Sequence, residues 1–266
     1  MQTRRTFLAS LAGASALVLA ACGGSNSSSG NGSAPAAATS TSDGTDAKGA
    51  GVMTYDEYMA AAVDDPIVIE CFVQGKQSWW DDKATIYAAD ADGGYFIYNA
   101  VCTEADYAKL VEGQKIKVTG FKAEWSGEIE VADGATIEFE DGTWIAQAPD
   151  VTELLGSADL IKYQNQKVAF TGMTIAPSKD PEGKEVAFLY NYDGSGSAGE
   201  NADLYFNVED AKKNVYSFTV ESYLTDESSD VYKAVTQLKV GDSVDLEGFL
   251  YWYEGANPHI TKVTVK

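Results

Sequence analysis

The chain has 266 residues, with 40 acidic against 19 basic side chains, one histidine and three cysteines. A formal charge of −21 argues against nonspecific nucleic-acid binding, which needs lysine and arginine to neutralise phosphates. One histidine excludes a His-based metal cage and leaves little for His-driven acid–base catalysis, while 45% hydrophobic content with 11% aromatics excludes global disorder.

The first 22 residues carry an export address. Arg4 and Arg5 form a charged start, residues 7–21 form an apolar run, and Leu19-Ala20-Ala21-Cys22 closes it. The run is too short for a membrane span of about 20 residues. The closing motif resembles the bacterial lipobox, which implies a lipid thioether on Cys22 and cleavage after residue 21. Thr3-Arg4-Arg5-Thr6-Phe7-Leu8 resembles the twin-arginine export motif, implying transport in the folded state. Cleavage would remove two arginines and no acids, taking the charge from −21 to −23. Two or more acyl chains would anchor the protein stably to the membrane. Residues 22–53, rich in Gly, Ser, Ala and Thr, read as a disordered tether.

The body follows. Residues 55–62 predict a short helix with Asp56 and Glu57 in its first turn. Residues 67–73, 84–89 and 95–99 predict strands, the last two joined by Asp90-Ala91-Asp92-Gly93-Gly94 as hairpin punctuation. Residues 103–111 read as a helix opening on a threonine cap, and 114–125 and 128–132 as two more strands. This β-β-β-α-β-β order resembles the OB-fold, a five-stranded Greek-key barrel with a helix between strands three and four.

The segment from Leu110 to Phe121 carries the likeness: a glycine off the helix (Gly113), alternating Ile116 and Val118, then Gly120 at a barrel corner. The same positions recur 128 residues later from Leu238 to Phe249, with Gly241, Val244, Leu246 and Gly248, and the offset continues to Trp125 and Tyr253 and to Gly127 and Gly255. An internal duplication follows. In the second copy, 166–175 reads as the first strand, 185–192 and 203–208 as the hairpin, 214–224 as extra β sequence, 229–238 as the helix, and 244–252 and 259–265 as closing strands. A short helix over 151–161, capped by Asp150, would join the copies. The fold class is therefore all-β: two tandem OB-like barrels, residues 54–148 and 149–266. The whole body resembles uncharacterised lipid-anchored bacterial proteins with tandem OB-like domains, which implies fold and place but no activity.

Candidate site residues are aromatic. Trp79 and Trp80 follow the first strand, where an OB barrel flanks its ligand groove, and Tyr251, Trp252 and Tyr253 end strand four of the second copy, matching Trp125 in the first. Alternation would place Tyr251 and Tyr253 on one face and Trp252 on the other. Such rings can be stacking platforms for ligands, or plugs between packed barrels. Asp90-Ala91-Asp92-Gly93 begins like a calcium loop, but Val101 stands where the twelfth-position glutamate belongs, so it reads as a turn. Cys71 and Cys102 lie on strands one and three, too far apart in a meander for an easy disulfide, and read as buried thiols. His259 reads as structural. No catalytic, phosphate-binding or dinucleotide motif is present, and no cofactor or metal is expected.

The expectation is a non-enzymatic, lipid-anchored binding module outside the cytoplasmic membrane, favouring a glycan, peptide or protein over nucleic acid. A carboxylate-based glycan hydrolase and an envelope spacer or accessory subunit are the alternatives.

Overall fold

A computed structural model describes residues 48–266. Arg4, Arg5, Cys22 and the export and lipidation readings lie outside them. The described end of the tether is docked, not free. Lys48 Nζ pairs with Asp90 at 2.6 Å and donates to the Glu70 carbonyl at 2.8 Å, and Met53 N donates to Val68 O. Residues 48–53, read as tether, thus pack on the first barrel.

The first barrel opens with α1 (Tyr55–Ala60), held by a Thr54–Glu57 capping box. Its strands are β1 (Pro66–Lys76), β2 (Lys83–Ala89), β3 (Gly94–Val101), β4 (Gln114–Trp125) and β5 (Glu128–Val131). The helix α2 (Glu104–Tyr107), capped by Thr103, lies between β3 and β4. The neighbours run β1-β2-β3-β5-β4, and β4 returns to β1, closing the barrel. The β3–β5 pair is parallel and the others antiparallel. A sixth strand, β6 (Thr136–Thr143), pairs with β4 and was not foreseen. Only Ile137 and Phe139 of β6 pack on the core, and the rest is polar and exposed, so its sequence carries little strand signal.

The chain crosses to the second barrel through two 3-10 turns, Thr152–Leu154 and Ala158–Tyr163. The predicted single helix is broken at Gly156, whose φ is +76°. Asp150 still accepts from Thr152 N at 2.9 Å. In the second barrel β7 (Lys167–Ala176) is followed by three short pairing segments, β8 (Ser178–Lys179), β9 (Glu185–Val186) and β10 (Leu189–Tyr190). Then come β11 (Leu204–Glu209), β12 (Val215–Val220), α3 (Asp230–Val235), β13 (Ser243–Phe249) and β14 (His259–Val265). Strands β7, β11, β12, β14 and β13 close the ring, again with one parallel pair, β12–β14. The second barrel's strand two is therefore β11 and its strand three is β12. The residues 185–192 assigned to the hairpin form an insertion instead, and 215–220, taken as extra, completes the barrel.

The repeated glycines do equivalent work. Gly113 (φ +88°) and Gly241 (φ +94°) turn the chain off α2 and α3, and each N–H bonds back to the first strand, at Val73 O and Ile175 O. A Cβ on Gly120 would stand 2.9 Å from Ala135 Cβ, and one on Gly248 would stand 2.2 Å from His259 O, so both corners need close backbone approach. Each barrel has its own core. Ile69, Ile86, Tyr95, Ile97, Ile116 and Val118 fill the first; Phe170, Met173, Phe206, Phe218 and Leu246 fill the second. The all-β architecture of two tandem OB-like barrels is the architecture observed.

Candidate functional site

An OB barrel presents ligands to the outer face of its strands two and three. The two barrels treat that face differently. In the first, the outward residues of β2 and β3 are Tyr87, Phe96 and Tyr98, and Tyr87 and Phe96 are buried. They pack against Phe249 and Tyr251 of the second barrel. The Tyr87 and Phe249 rings stack at 4.3 Å with 7° between planes, and Phe96 meets Tyr251 edge-on at 5.2 Å. His259 closes the cluster: Tyr87 OH lies 2.8 Å from its Nδ1, and its ring stacks on Tyr251 at 4.6 Å. The first barrel's ligand face is thus occupied by the second barrel.

Polar contacts ring this seam. Trp252 N donates to Glu128 Oε2 at 2.8 Å, Glu254 N to Ser126 O at 2.7 Å, Asn165 Nδ2 to Ile129 O at 2.9 Å, and Ser78 N to Tyr223 O at 2.7 Å. Gln77 Nε2 reaches Glu221 at 3.0 Å. Gly127 allows the indole of Trp252 to approach; a Cβ there would stand 2.9 Å from its Cδ1. Two carboxyl groups sit in the seam, Glu128 from the first barrel and Glu221 from the second. Burial pushes each up to about 8. Nothing in the sequence singled them out.

The second barrel's corresponding face is only partly covered: Tyr205, Asn207 and Glu209 are half-buried, Ser217 is exposed and Thr219 is buried. Along β11 the burial alternates, with Leu204, Phe206 and Val208 inward and Tyr205, Asn207 and Glu209 outward. Tyr205 pairs with Thr219 and Asn207 with Ser217 across the β11–β12 ladder. Tyr192, at the tip of the insertion, is 76% exposed and its ring lies 6.5 Å from Tyr205, edge-on. At the seam end of the face, Tyr223 is 47% exposed beside the loop that carries Trp80, itself 51% exposed. Tyr192, Tyr205 and Tyr223 were missed by sequence reasoning, because the β11–β12 face had been assigned to the wrong pair of strands.

The predicted aromatic residues divide. Trp79 is half-buried, its indole N–H donating to Cys102 O at 2.8 Å. Trp80 is exposed. Tyr251 is buried in the seam, Trp252 half-buried against Gly127, and Tyr253 exposed. Simple alternation fails here because β13 ends at Phe249 and the chain turns, with Tyr251 N bonding to Phe249 O. Trp125 is exposed on the neighbouring turn, next to the Ser126–Glu254 contact. Tyr251 and Trp252 thus join barrels, and Trp80, Trp125 and Tyr253 remain at the surface.

Other sequence features resolve as structure. Asp90 Oδ1 accepts from Asp92 N and Gly93 N, each at 2.9 Å, which makes the acidic run an Asx turn. Cys71 and Cys102 are buried and unbonded to each other. Among the described residues no group of three His, Cys, Asp or Glu side chains is placed to hold a metal ion. A concavity of about 420 Å³ is lined by Asp150, Thr171, Asp210 and Lys212 among others. Burial would raise the Asp150 carboxyl, but bonds from Thr152 and Thr171 outweigh it and hold it below the usual range; bonds from Asn214 and Lys212 lower Asp210. Neither is a proton donor at neutral pH. The two raised carboxyls sit in the seam, not in this concavity.

No family model matches the chain, and no curated protein matches it. Among solved structures it is similar to a p204 HINb domain, with TM-score 0.35 and 13% identity over 77% of this chain and 98% of that one. It is also similar to a murine DNA binding protein bound with double-stranded DNA, with TM-score 0.34 and 14% identity over 76% and 94%. A third is a replication protein A heterotrimer bound to single-stranded DNA, with TM-score 0.26 and 7% identity over 81% and 69%. These neighbours overturn one expectation. Nucleic acid had been set aside on net charge, yet similar chains are solved with DNA bound. Whole-chain charge does not describe one face, and base stacking on aromatic rings does not depend on it.

Proposed function

We propose that the protein is a binding module held outside the cytoplasmic membrane by a lipid on Cys22, exported through its Arg4–Arg5 motif, and that its ligand meets the β11–β12 face of the second barrel. One observation supports this reading above others: the two barrels share a topology, but only the first has its strand two–three face packed under the other barrel, while the second leaves Ser217 exposed and Tyr205 and Asn207 half-exposed. That face offers Tyr205 and Tyr192 as planes and Asn207 and Ser217 as neutral hydrogen-bonding groups. Flat rings beside amide and hydroxyl groups suit a neutral glycan, whose faces are apolar and whose edges are polar. Trp80 and Tyr223 extend the surface toward the seam. The module binds rather than hydrolyses, because the raised carboxyls are sealed in the seam.

The test is a titration of the full chain with neutral cello-, chito- and xylo-oligosaccharides, beside peptides and single-stranded oligonucleotides. Binding of one oligosaccharide class, weakened at least tenfold by Tyr192→Ala and Tyr205→Ala, is expected. Oligonucleotide binding through the same tyrosines would keep the face and replace the ligand. Ligand binding unaffected by both substitutions would overturn the face itself. Metabolic labelling with palmitate, lost in Cys22→Ser, checks the anchor.

A further inference from the structure

We propose that the seam between the barrels is a proton-operated joint, closed while Glu128 and Glu221 are neutral and loosened when they ionise. The inference does not rest on the ligand reading.

The geometry of Glu128 carries it. The residue opens β5 and is fully buried. Its Oε2 accepts from Trp252 N at 2.8 Å and Gln164 Nε2 at 3.1 Å, both reaching across from the second-barrel side. Its Oε1 has no hydrogen-bond partner, and neither has the buried Oδ1 of Asn165, whose amide lies within reach of the same carboxyl. Among the described residues, the buried side-chain polar atoms left without a partner are these two acceptors and the hydroxyl of Tyr58. A proton on Oε1 supplies a missing donor; a bare carboxylate leaves buried oxygens unsatisfied.

Among the described residues, no lysine side chain bonds the Glu128 carboxyl. Tyr55 and Tyr58 face Glu128 from α1, Glu130 from its own strand, and the neutral amides of Gln164 and Asn165 from the linker. Lys122 on β4 donates to the carbonyls of Met59 and Ala61 and lies over the Tyr58 ring. Glu221 differs in that both of its oxygens are bonded. It accepts from Gln77 Nε2 of the first barrel at 3.0 Å and from Tyr223 N at 3.2 Å, with Asp203 and Tyr205 as its titratable neighbours. Each barrel thus commits one carboxyl to the seam, and each is bonded by neutral donors.

Burial raises both groups, to about 8. In an opened seam an exposed glutamate titrates near the ordinary value of about 4.3. Between those values the closed form holds a proton that the open form has released. Rising pH therefore favours opening, about tenfold per pH unit for each carboxyl, and the effect levels off above about 8.

Amide hydrogen exchange on the full chain reads this directly, corrected for the intrinsic pH dependence of exchange. From pH 5.5 to 7.5 the opening constant at Ser78, Trp252 and Glu254, whose N–H groups bond across the seam, is expected to rise by up to about a hundredfold per pH unit. Val118 and Leu246 in the barrel cores should hold their protection. Glu128→Gln and Glu221→Gln should each remove one factor of about ten per pH unit, and the double variant should be flat. If Glu128→Gln fails to fold, Glu221→Gln alone must still lower the slope. Seam protection that does not change with pH in the native protein, or a slope that survives the glutamine variants, would overturn the proposal.

Discussion

The two barrels are built on one plan and used in opposite ways. Both close through a parallel pairing of strands three and five, and both turn the chain off the helix at a left-handed glycine, Gly113 and Gly241. The difference lies in the outer face of strands two and three. In the first barrel it carries Tyr87 and Phe96 and is buried under Phe249 and Tyr251; in the second it carries the half-buried Tyr205, Asn207 and Glu209 and the exposed Ser217, and only Thr219 is buried. Duplication thus supplies two copies of a ligand face. One is buried between the barrels, and the other is the face proposed to bind.

Substitutions can break this asymmetry in graded steps. Phe249→Ala removes a ring stacked on Tyr87 and should cost about 3–5 kcal/mol in denaturant unfolding. Gly127→Ala puts a methyl against Trp252 at a φ of +90° and should cost about 1–3 kcal/mol by the same measurement. Tyr87→Phe strands His259 Nδ1 in a buried site and should cost about 1–2 kcal/mol, without changing the fold seen by circular dichroism. On the second barrel's face, Ser217→Ala should change stability by less than about 0.5 kcal/mol, since its side chain is exposed. A large loss there would mean that the second face is also covered.

Part of this asymmetry was legible in the sequence. Residues 84–89 and 95–98 are almost continuously apolar, the pattern of strands buried on both faces, whereas Leu204-Tyr205-Phe206-Asn207-Val208-Glu209 alternates as a half-exposed strand does. The recurring Leu–Gly–Phe segment located strand four of both barrels, and β4 and β14 run over the residues expected. The insertion misled because residues 185–192 are as β-like as β11, and only pairing shows that β10 lies outside the closed ring. The site was less legible. Glu128 sits in Glu-Ile-Glu-Val, which reads as a strand with a polar outer face. It is buried where α1, the linker amides and the loop carrying Trp252 meet, a tertiary event without a local signal. For Tyr251 the sequence left a stacking platform and a plug between barrels both open, and the structure buries it between the barrels.

Hydroxyl-radical footprinting of the full chain compares the two faces in one experiment. The account predicts that Tyr87, Phe96, Phe249 and Tyr251 are protected, while Tyr192, Tyr223, Trp80 and Tyr253 are oxidised readily. Oxidation of Tyr87 and Phe249 at the rate of Tyr192 in the folded protein would contradict it, because the first barrel's face would then be as open as the second's.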